Sequence, residues 1–259
     1  MKKILISLSI GSIFIAPSLL AVDLIGKTVS NDPINIVSEV SGVIQNADLD
    51  VGQMVNQGDT LATVKANDFK LELSKKQAHL ALAQADLKLK KSVYQRYQEL
   101  RKKNSLSQNE LDIAAADYAS AKANLSLAQL DVTNAREDLK QTTIKTLLGG
   151  FVSQRHVENG TWVNQGEPLY RIVNIDTLTV RLLASEFDLA DLTVGQAVEL
   201  WSESTPTQRI TASISRIGVE PDANSLAYPV EIDIENQDHS LKPGMSIHAT
   251  TQLSSVDKQ

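Results

Sequence analysis

The sequence predicts an α+β chain: a β-sandwich split by a long inserted antiparallel α-helical hairpin and followed by a small β-barrel. Three observations carry this prediction. An internal repeat recurs without a gap 108 residues apart. The stretch between its copies, residues 67–142, contains no glycine and no proline. The stretch after the second copy, residues 176–254, alternates apolar and polar positions in several short runs.

The repeat comes first in the chain. Gly42, Gly52, Val55, Asn56, Gln57, Gly58 and Leu61 recur as Gly150, Gly160, Val163, Asn164, Gln165, Gly166 and Leu169. Ile44/Val152, Leu49/Val157, Asp59/Glu167 and Val64/Ile172 are conservative exchanges. Each copy reads as short strands punctuated by glycine, so Gly42, Gly52, Gly58, Gly150, Gly160 and Gly166 are expected at turns. One copy alone buries too little apolar surface, so the two are expected to pair as a sandwich.

Residues 67–142 change character to Ala, Leu, Lys, Gln and Asp. Leu111, Tyr118, Leu125, Val132 and Leu139 recur every seven residues, with Ala114, Ala121, Ala128 and Ala135 as the partner row. That is a heptad seam. The first part is looser: Leu80, Leu87 and Tyr94 form one row, and Ala78, Leu82, Ala85 and Leu89 a second. The second row predicts either a wide seam or side-by-side packing with other copies. Asn104 to Ser107 breaks the pattern, and Ser107 with Glu110 matches a capping box. Asn67 or Asp68 is the expected cap of the first helix. Two helices of about 35 residues would each be about 50 Å long. Both β-halves flank them, so their far ends return to one place.

In the last region, Leu178–Leu182, Gly195–Leu200, Ile210–Ile217, Val230–Ile234 and Ile247–Leu253 read as strands. Glu186–Leu192 reads as a short helix, and Gly244 as a turn glycine in Leu241–Met245.

The net charge is −6 with no basic stripe, which argues against a nucleic-acid partner. There is no cysteine, so disulfides, thiolate metal sites and a lipobox anchor are excluded. Met1-Lys2-Lys3, the apolar run Ile4–Ile15, Pro17 and Ala21 read as a signal peptide over residues 1–21. An uncleaved anchor over Ile4–Val22 is the competing reading. Either places the remainder outside the cytoplasm.

Together these residues resemble the membrane fusion protein family, HlyD-like periplasmic adaptors of efflux pumps. The resemblance runs from about Ile36 to Leu253. It implies a lipoyl-like domain in two halves, 36–66 and 143–175, with the coiled-coil hairpin 67–142 between them. A β-barrel follows over 176–254. Residues 22–35 would be an N-terminal segment and 255–259 a tail. Implied partners are an inner-membrane efflux transporter, of resistance-nodulation-division type, a TolC-like outer-membrane channel, and further copies in a trimeric or hexameric ring. At the hairpin tip, Arg96, Leu100 and Ser107 stand at the spacing the family uses to dock the channel. Arg96 and Ser107 would supply polar contacts and Leu100 an apolar one. Ser107 is equally a helix cap, Leu100 a seam residue and Arg96 a solvated charge. The fourth, membrane-proximal domain of many adaptors is expected to be missing or minimal. Lys65 lies in Val64-Lys65-Ala66-Asn67-Asp68, which runs into the helix, so no lipoyl cofactor is expected.

No catalytic set is visible. His79, His156, His239 and His248 are scattered without metal-ligand spacing, and no nucleophile elbow, phosphate loop or dinucleotide fingerprint occurs. Glu186 and Asp188 stand together on the expected short helix, and Met1, Met54 and Met245 form no thioether cluster. The expectation is a non-enzymatic adaptor without cofactor or metal. Alternatives are an adaptor of an ATP-driven exporter, a swinging-arm carrier and a structural coiled-coil envelope protein.

Overall fold

The computed structural model describes residues 21–223 and 225–253. The signal-peptide and anchor readings rest almost wholly on residues 1–20, which lie outside the described ones. Among the described residues, no helix is long and apolar enough to cross a membrane. The described residues form two compact units: residues 32–174, and the described residues up to Asn31 together with those from Ile175 onward.

The first unit contains the duplicated module. Its strands are the end of β1 (Asp23–Val37), β2 (Gly42–Asn46), β3 (Met54–Val55) and β4 (Thr60–Val64) from one half. The other half supplies β5 (Thr143–Lys145), β6 (Gly150–Arg155), β7 (Trp162–Val163) and the start of β8 (Pro168–Ala184). The halves exchange strands. Gly42 pairs with Val163, and its equivalent Gly150 pairs with Val55. Within each half, Ile44 pairs with Val64 and Val152 with Ile172, and each ladder then shifts register at the same step. The apolar residues on the inner faces of both copies therefore form one shared core, whereas Val51, Met54 and Trp162 point to solvent. Ile44, Val55, Leu61 and Val64 bury together with Val152, Val163, Leu169 and Ile172. The equivalence extends upstream of the repeat seen in sequence, to buried Ile36 and Ile144.

Two turn assignments need correction. Gly52, Gly58, Gly160, Gly166 and Gly244 hold φ between +83° and +92°, as a glycine turn requires. Gly42 and Gly150 do not: they open β2 and β6 in extended backbone. They are glycine because of crowding. A Cβ on Gly42 would sit 2.6 Å from Val64 Cγ1, and one on Gly150 would collide with the Val173 carbonyl.

Between the halves stand α1 (Asn67–Lys102) and α2 (Gln108–Gln141), which pack on each other, with α2 meeting β5 at the root. At 1.5 Å per residue each is about 50 Å long. Ala83, Ala114, Ala121, Ala128, Val132 and Ala135 are buried between them, and small side chains there let the helix axes approach closely. Tyr94 stacks on Tyr118 with centroids 5.7 Å apart. Lys76 reaches Asp131 at 3.2 Å and Lys90 reaches Asp117 at 2.7 Å, which fixes one antiparallel register. The row Leu80, Leu87 and Tyr94 lies towards the seam, whereas Leu82 and Leu89 of the second row are exposed. α1 is not capped by Asn67 or Asp68. Its N-cap is Ala66, without a side-chain bond.

The second unit has the strand order β10-β9-β13-β1-β8-β12-β11, with β9 (Ala197–Ser202), β10 (Thr205–Ser213), β11 (Arg216–Ile217), β12 (Tyr228–Glu235) and β13 (Ser246–Thr250). β10 also approaches β12, so the two ends of this order come together as a small barrel. Leu24, Leu178, Val180, Leu182, Leu200, Ile232 and Ile247 fill it. Buried Asn236 binds the Ile175 and Leu241 carbonyls and accepts from the Leu241 N–H, which anchors the turn that ends at Gly244. The expected helix Glu186–Leu192 is a single 3-10 turn, Asp188–Asp191.

Candidate functional site at the hairpin tip

The tip is a short, closed turn. The Leu100 carbonyl accepts from the Lys103 and Ser105 N–H groups at 3.2 and 2.9 Å, and Asn104 donates its N–H to Arg101 O. Asn104 holds φ +58°, the left-handed conformation that asparagine tolerates at helix ends. Arg101 ties the turn across, donating to Leu106 O at 3.1 Å and to Gln108 Oε1 at 3.3 Å. Arg101 carried no signal in the sequence. Its role appears only once Leu106 is folded back beside it.

Ser107 starts α2 with a complete capping box. Glu110 donates its N–H to Ser107 Oγ at 3.2 Å, while Glu110 Oε2 accepts from the Ser107 N–H at 3.0 Å and from its hydroxyl at 2.7 Å. These bonds hold the Glu110 carboxyl below the usual carboxylate range. The one proton of the Ser107 hydroxyl is thus engaged within the tip. Arg96 and Leu100 stand one turn apart on α1 and so share a face. Leu100 is half-buried, and Arg96 is exposed, its guanidinium 5.9 Å from the Tyr97 ring centroid. The three residues are gathered at one end of the hairpin, two as a surface pair and one as the cap.

The hairpin has two unlike flanks. A groove of about 220 Å³ on one flank is lined by Leu89, Lys90 and Val93 of α1 and Glu110, Ile113 and Asp117 of α2. Leu82 and Leu127, both exposed, continue the rows of Leu89 and Ile113 by one and two heptads, and Asp131 continues that of Asp117. Heptad geometry puts Lys88, Lys91, Lys122 and Arg136, all exposed, on the opposite flank. One side is thus apolar, with Asp117 and Asp131 already paired to Lys90 and Lys76, and the other basic.

A cavity of about 730 Å³ lies at the hairpin root between Ile34, Ile36, Ile144 and Leu147, with Glu39, Glu137, Lys140 and Lys145 at its margin. It gathers no nucleophile and base. Among the described residues no group of His, Asp or Glu could hold a metal ion.

Comparison with known proteins accords with this architecture. Residues 33–174 match the family model of the CzcB-like, barrel-sandwich hybrid domain, and residues 178–250 that of the YknX-like beta-barrel domain. The multidrug resistance protein MdtA of Xenorhabdus bovienii is 24% identical over 90% of the chain, and the nodulation protein NolF of Rhizobium meliloti 27% identical over 81%. The chain spans 58% and 57% of those relatives' lengths, little more than half. Among solved structures, the membrane fusion protein Spr0693 from Streptococcus pneumoniae R6 superposes with a TM-score of 0.71 at 23% identity, over 88% of this chain and 97% of that one. That likeness speaks to the fold.

Proposed function

Because the chain belongs to the membrane fusion protein family, we propose that it is a periplasmic adaptor. It joins an inner-membrane efflux transporter, of resistance-nodulation-division type, to a TolC-like outer-membrane channel. The single observation that supports this most is the hairpin: two helices about 50 Å long pack on each other and end in a hydrogen-bonded, capped tip. A slender arm of that length offers reach and no enclosed reaction site. At its tip Leu100 is the apolar contact to the channel and Arg96 the polar one. Ser107 fixes the turn that presents them, with an oxygen lone pair left for a donor on the channel.

The two flanks fit assembly into a ring. An apolar flank and a basic flank on one hairpin are unlike faces, and the basic one repels a copy of itself. Such a contact is head-to-tail and closes into a cyclic trimer or hexamer.

The experiment places a photocrosslinking amino acid at position 100 in the full chain in its own host. The expected result is an adduct with an outer-membrane channel, reduced at least tenfold by Arg96→Asp, together with increased drug sensitivity in that variant. Unchanged sensitivity and no channel adduct would instead leave a structural coiled-coil protein.

A further inference from the structure

At one end of the ladder formed by β8, β12 and β11, three large apolar side chains stand in water. Val219 is 92% exposed, Phe187 88% and Leu226 80%, more than any other large apolar side chain among the described residues. They are distant in sequence, and the strand register brings the strand ends that lead to them to one end of the ladder. Ile217 pairs with Val230, Val230 with Leu182, and Tyr228 with Ala184. Val219 just beyond β11, Leu226 just before β12 and Phe187 just beyond β8 therefore leave the same edge. Neighbouring strands lie about 4.8 Å apart, so the three exits fall within about 10 Å of one another.

Both loops are tied down. Ser185 donates its N–H and hydroxyl to Asp188 Oδ2 at 3.0 and 2.6 Å, and the Asp188 N–H returns to Ser185 Oγ at 3.3 Å. Asp222 Oδ1 accepts from the N–H and hydroxyl of Ser225. Leu226 donates to Asp222 O, and Asp222 donates to Ala227 O, both at 2.9 Å. Leu226 is held at φ +54°, an unfavourable conformation for a leucine. That strain turns an apolar side chain outward without giving it a neighbour inside the unit.

The surroundings indicate what covers this patch. Residues 185–196 and 218–228 carry Glu186, Asp188, Asp191, Glu220 and Asp222 and no lysine, arginine or histidine. Further back on these strands, Arg181 and Arg216 are paired with Glu231 and Asp233. An acidic rim is repelled by anionic lipid headgroups and attracted by basic protein surfaces. An exposed apolar patch with a charged rim is the composition of a protein interface.

We propose that this end of the barrel unit is a docking prong for a protein partner that offers an apolar recess bordered by lysine or arginine. Phe187, Val219 and Leu226 enter the recess, and the five carboxylates meet its rim. The identity of the partner as the inner-membrane transporter rests on the function proposed above; the chemistry of the prong does not.

The test puts the photocrosslinker p-benzoylphenylalanine at position 187 of the full chain in its own host, with position 207 on β10 as control. The expected result is an adduct at 187 and none at 207. The adduct should map to a membrane-protein peptide containing apolar residues and lysine or arginine. The double substitution Glu186→Lys with Glu220→Lys should lower its yield at least tenfold, while the melting temperature of the purified chain stays within a few degrees. Adducts only with lipid, together with binding of the purified chain to phosphatidylglycerol vesicles, would make the patch a membrane contact and overturn the proposal. Adducts only with a second copy of this chain would overturn it as well. If position 100 crosslinks to a channel and position 187 to nothing, the prong falls and the adaptor reading stands. If position 187 gives the expected adduct and position 100 gives none, the prong stands and channel docking falls.

Discussion

Ser38 and Thr146 occupy one position in the two halves of the β-module, and each hydroxyl donates to the carbonyl two residues on, Val40 O and Leu148 O, at 2.6 Å. Their backbones match too. Ser38 exchanges hydrogen bonds with Glu167 and Gly166, and Thr146 with the equivalent Asp59 and Gly58. Both side chains are buried, but Val40 is buried as well whereas Leu148 is exposed, and Thr146 Oγ1 also accepts from the Leu148 N–H at 3.2 Å. Ser38→Ala and Thr146→Ala should each cost about 1–3 kcal/mol, the usual penalty for stranding a buried polar group. The two costs should add in the double variant, since the sites share no partner. Urea melts of the three variants check this.

The glycines divide by mechanism, and substitution should separate them. Gly58 holds φ +89° with open space around its Cα, so Gly58→Ala meets only backbone strain, about 1–2 kcal/mol. Gly150 needs no unusual φ, but a Cβ there collides with the Val173 carbonyl, a backbone atom of a paired strand. Gly150→Ala should therefore be the more damaging, by roughly 2 kcal/mol or more, with disruption of the β6–β8 pairing. Thermal melts rank the two; an equal or reversed order would contradict the crowding account.

What the sequence showed and what it hid follow from the range of the interactions. The hairpin was legible because its signals are local: the seam from Leu111 to Leu139 repeats every seven residues, and Ser107 and Glu110 stand three apart. The duplication was legible because equal structure kept equal residues at the turns. The exchange of strands between halves was not, because Gly42 faces Val163 only through tertiary pairing. For the same reason Gly42 and Gly150 read as turns, their crowding coming from residues remote in the chain. At the tip, the spacing of Arg96, Leu100 and Ser107 could be read, whereas the strap from Arg101 to Leu106 depends on a turn that composition does not specify. The cluster of Phe187, Val219 and Leu226 needs the register of three strands, which no local pattern reports.

Stability and docking should separate at the hairpin tip. Ser107→Ala removes the acceptor for the Glu110 N–H and should destabilise the hairpin by about 1 kcal/mol, while Ser107→Thr restores most of it. Arg96→Asp removes an exposed charge that caps nothing and should change stability by less than about 0.5 kcal/mol. If Arg96 contacts the channel, the ranking inverts in a crosslinking assay: Arg96→Asp loses the channel adduct, and Ser107→Thr keeps it. Helix content followed by circular dichroism during thermal melting supplies the stability half of the comparison.

The barrel unit should weaken in acid through one cluster. Arg216 bonds Glu231 at 2.9 Å and Asp233 at 2.8 and 2.9 Å, and Arg181 adds a second guanidinium to Glu231. The Arg216 hydrogen bonds hold both carboxyls below their ordinary range, against the opposing effect of partial burial. A depressed folded-state value means that the unfolded chain takes up protons first. The stabilisation is therefore fully present above the ordinary carboxylate values, about pH 4, and is lost as the pH falls below them. Arg216 is half exposed, so solvent screening limits the gain to about 1 kcal/mol at neutral pH. Arg216→Ala should cost that amount at pH 7 and less at pH 3, below the ordinary carboxylate values, where the unfolded chain and the variant have taken up protons and part of the stabilisation is gone. Denaturant melts of both proteins at the two pH values measure the difference, and a gap that stays constant with pH would assign Arg216 a packing role instead.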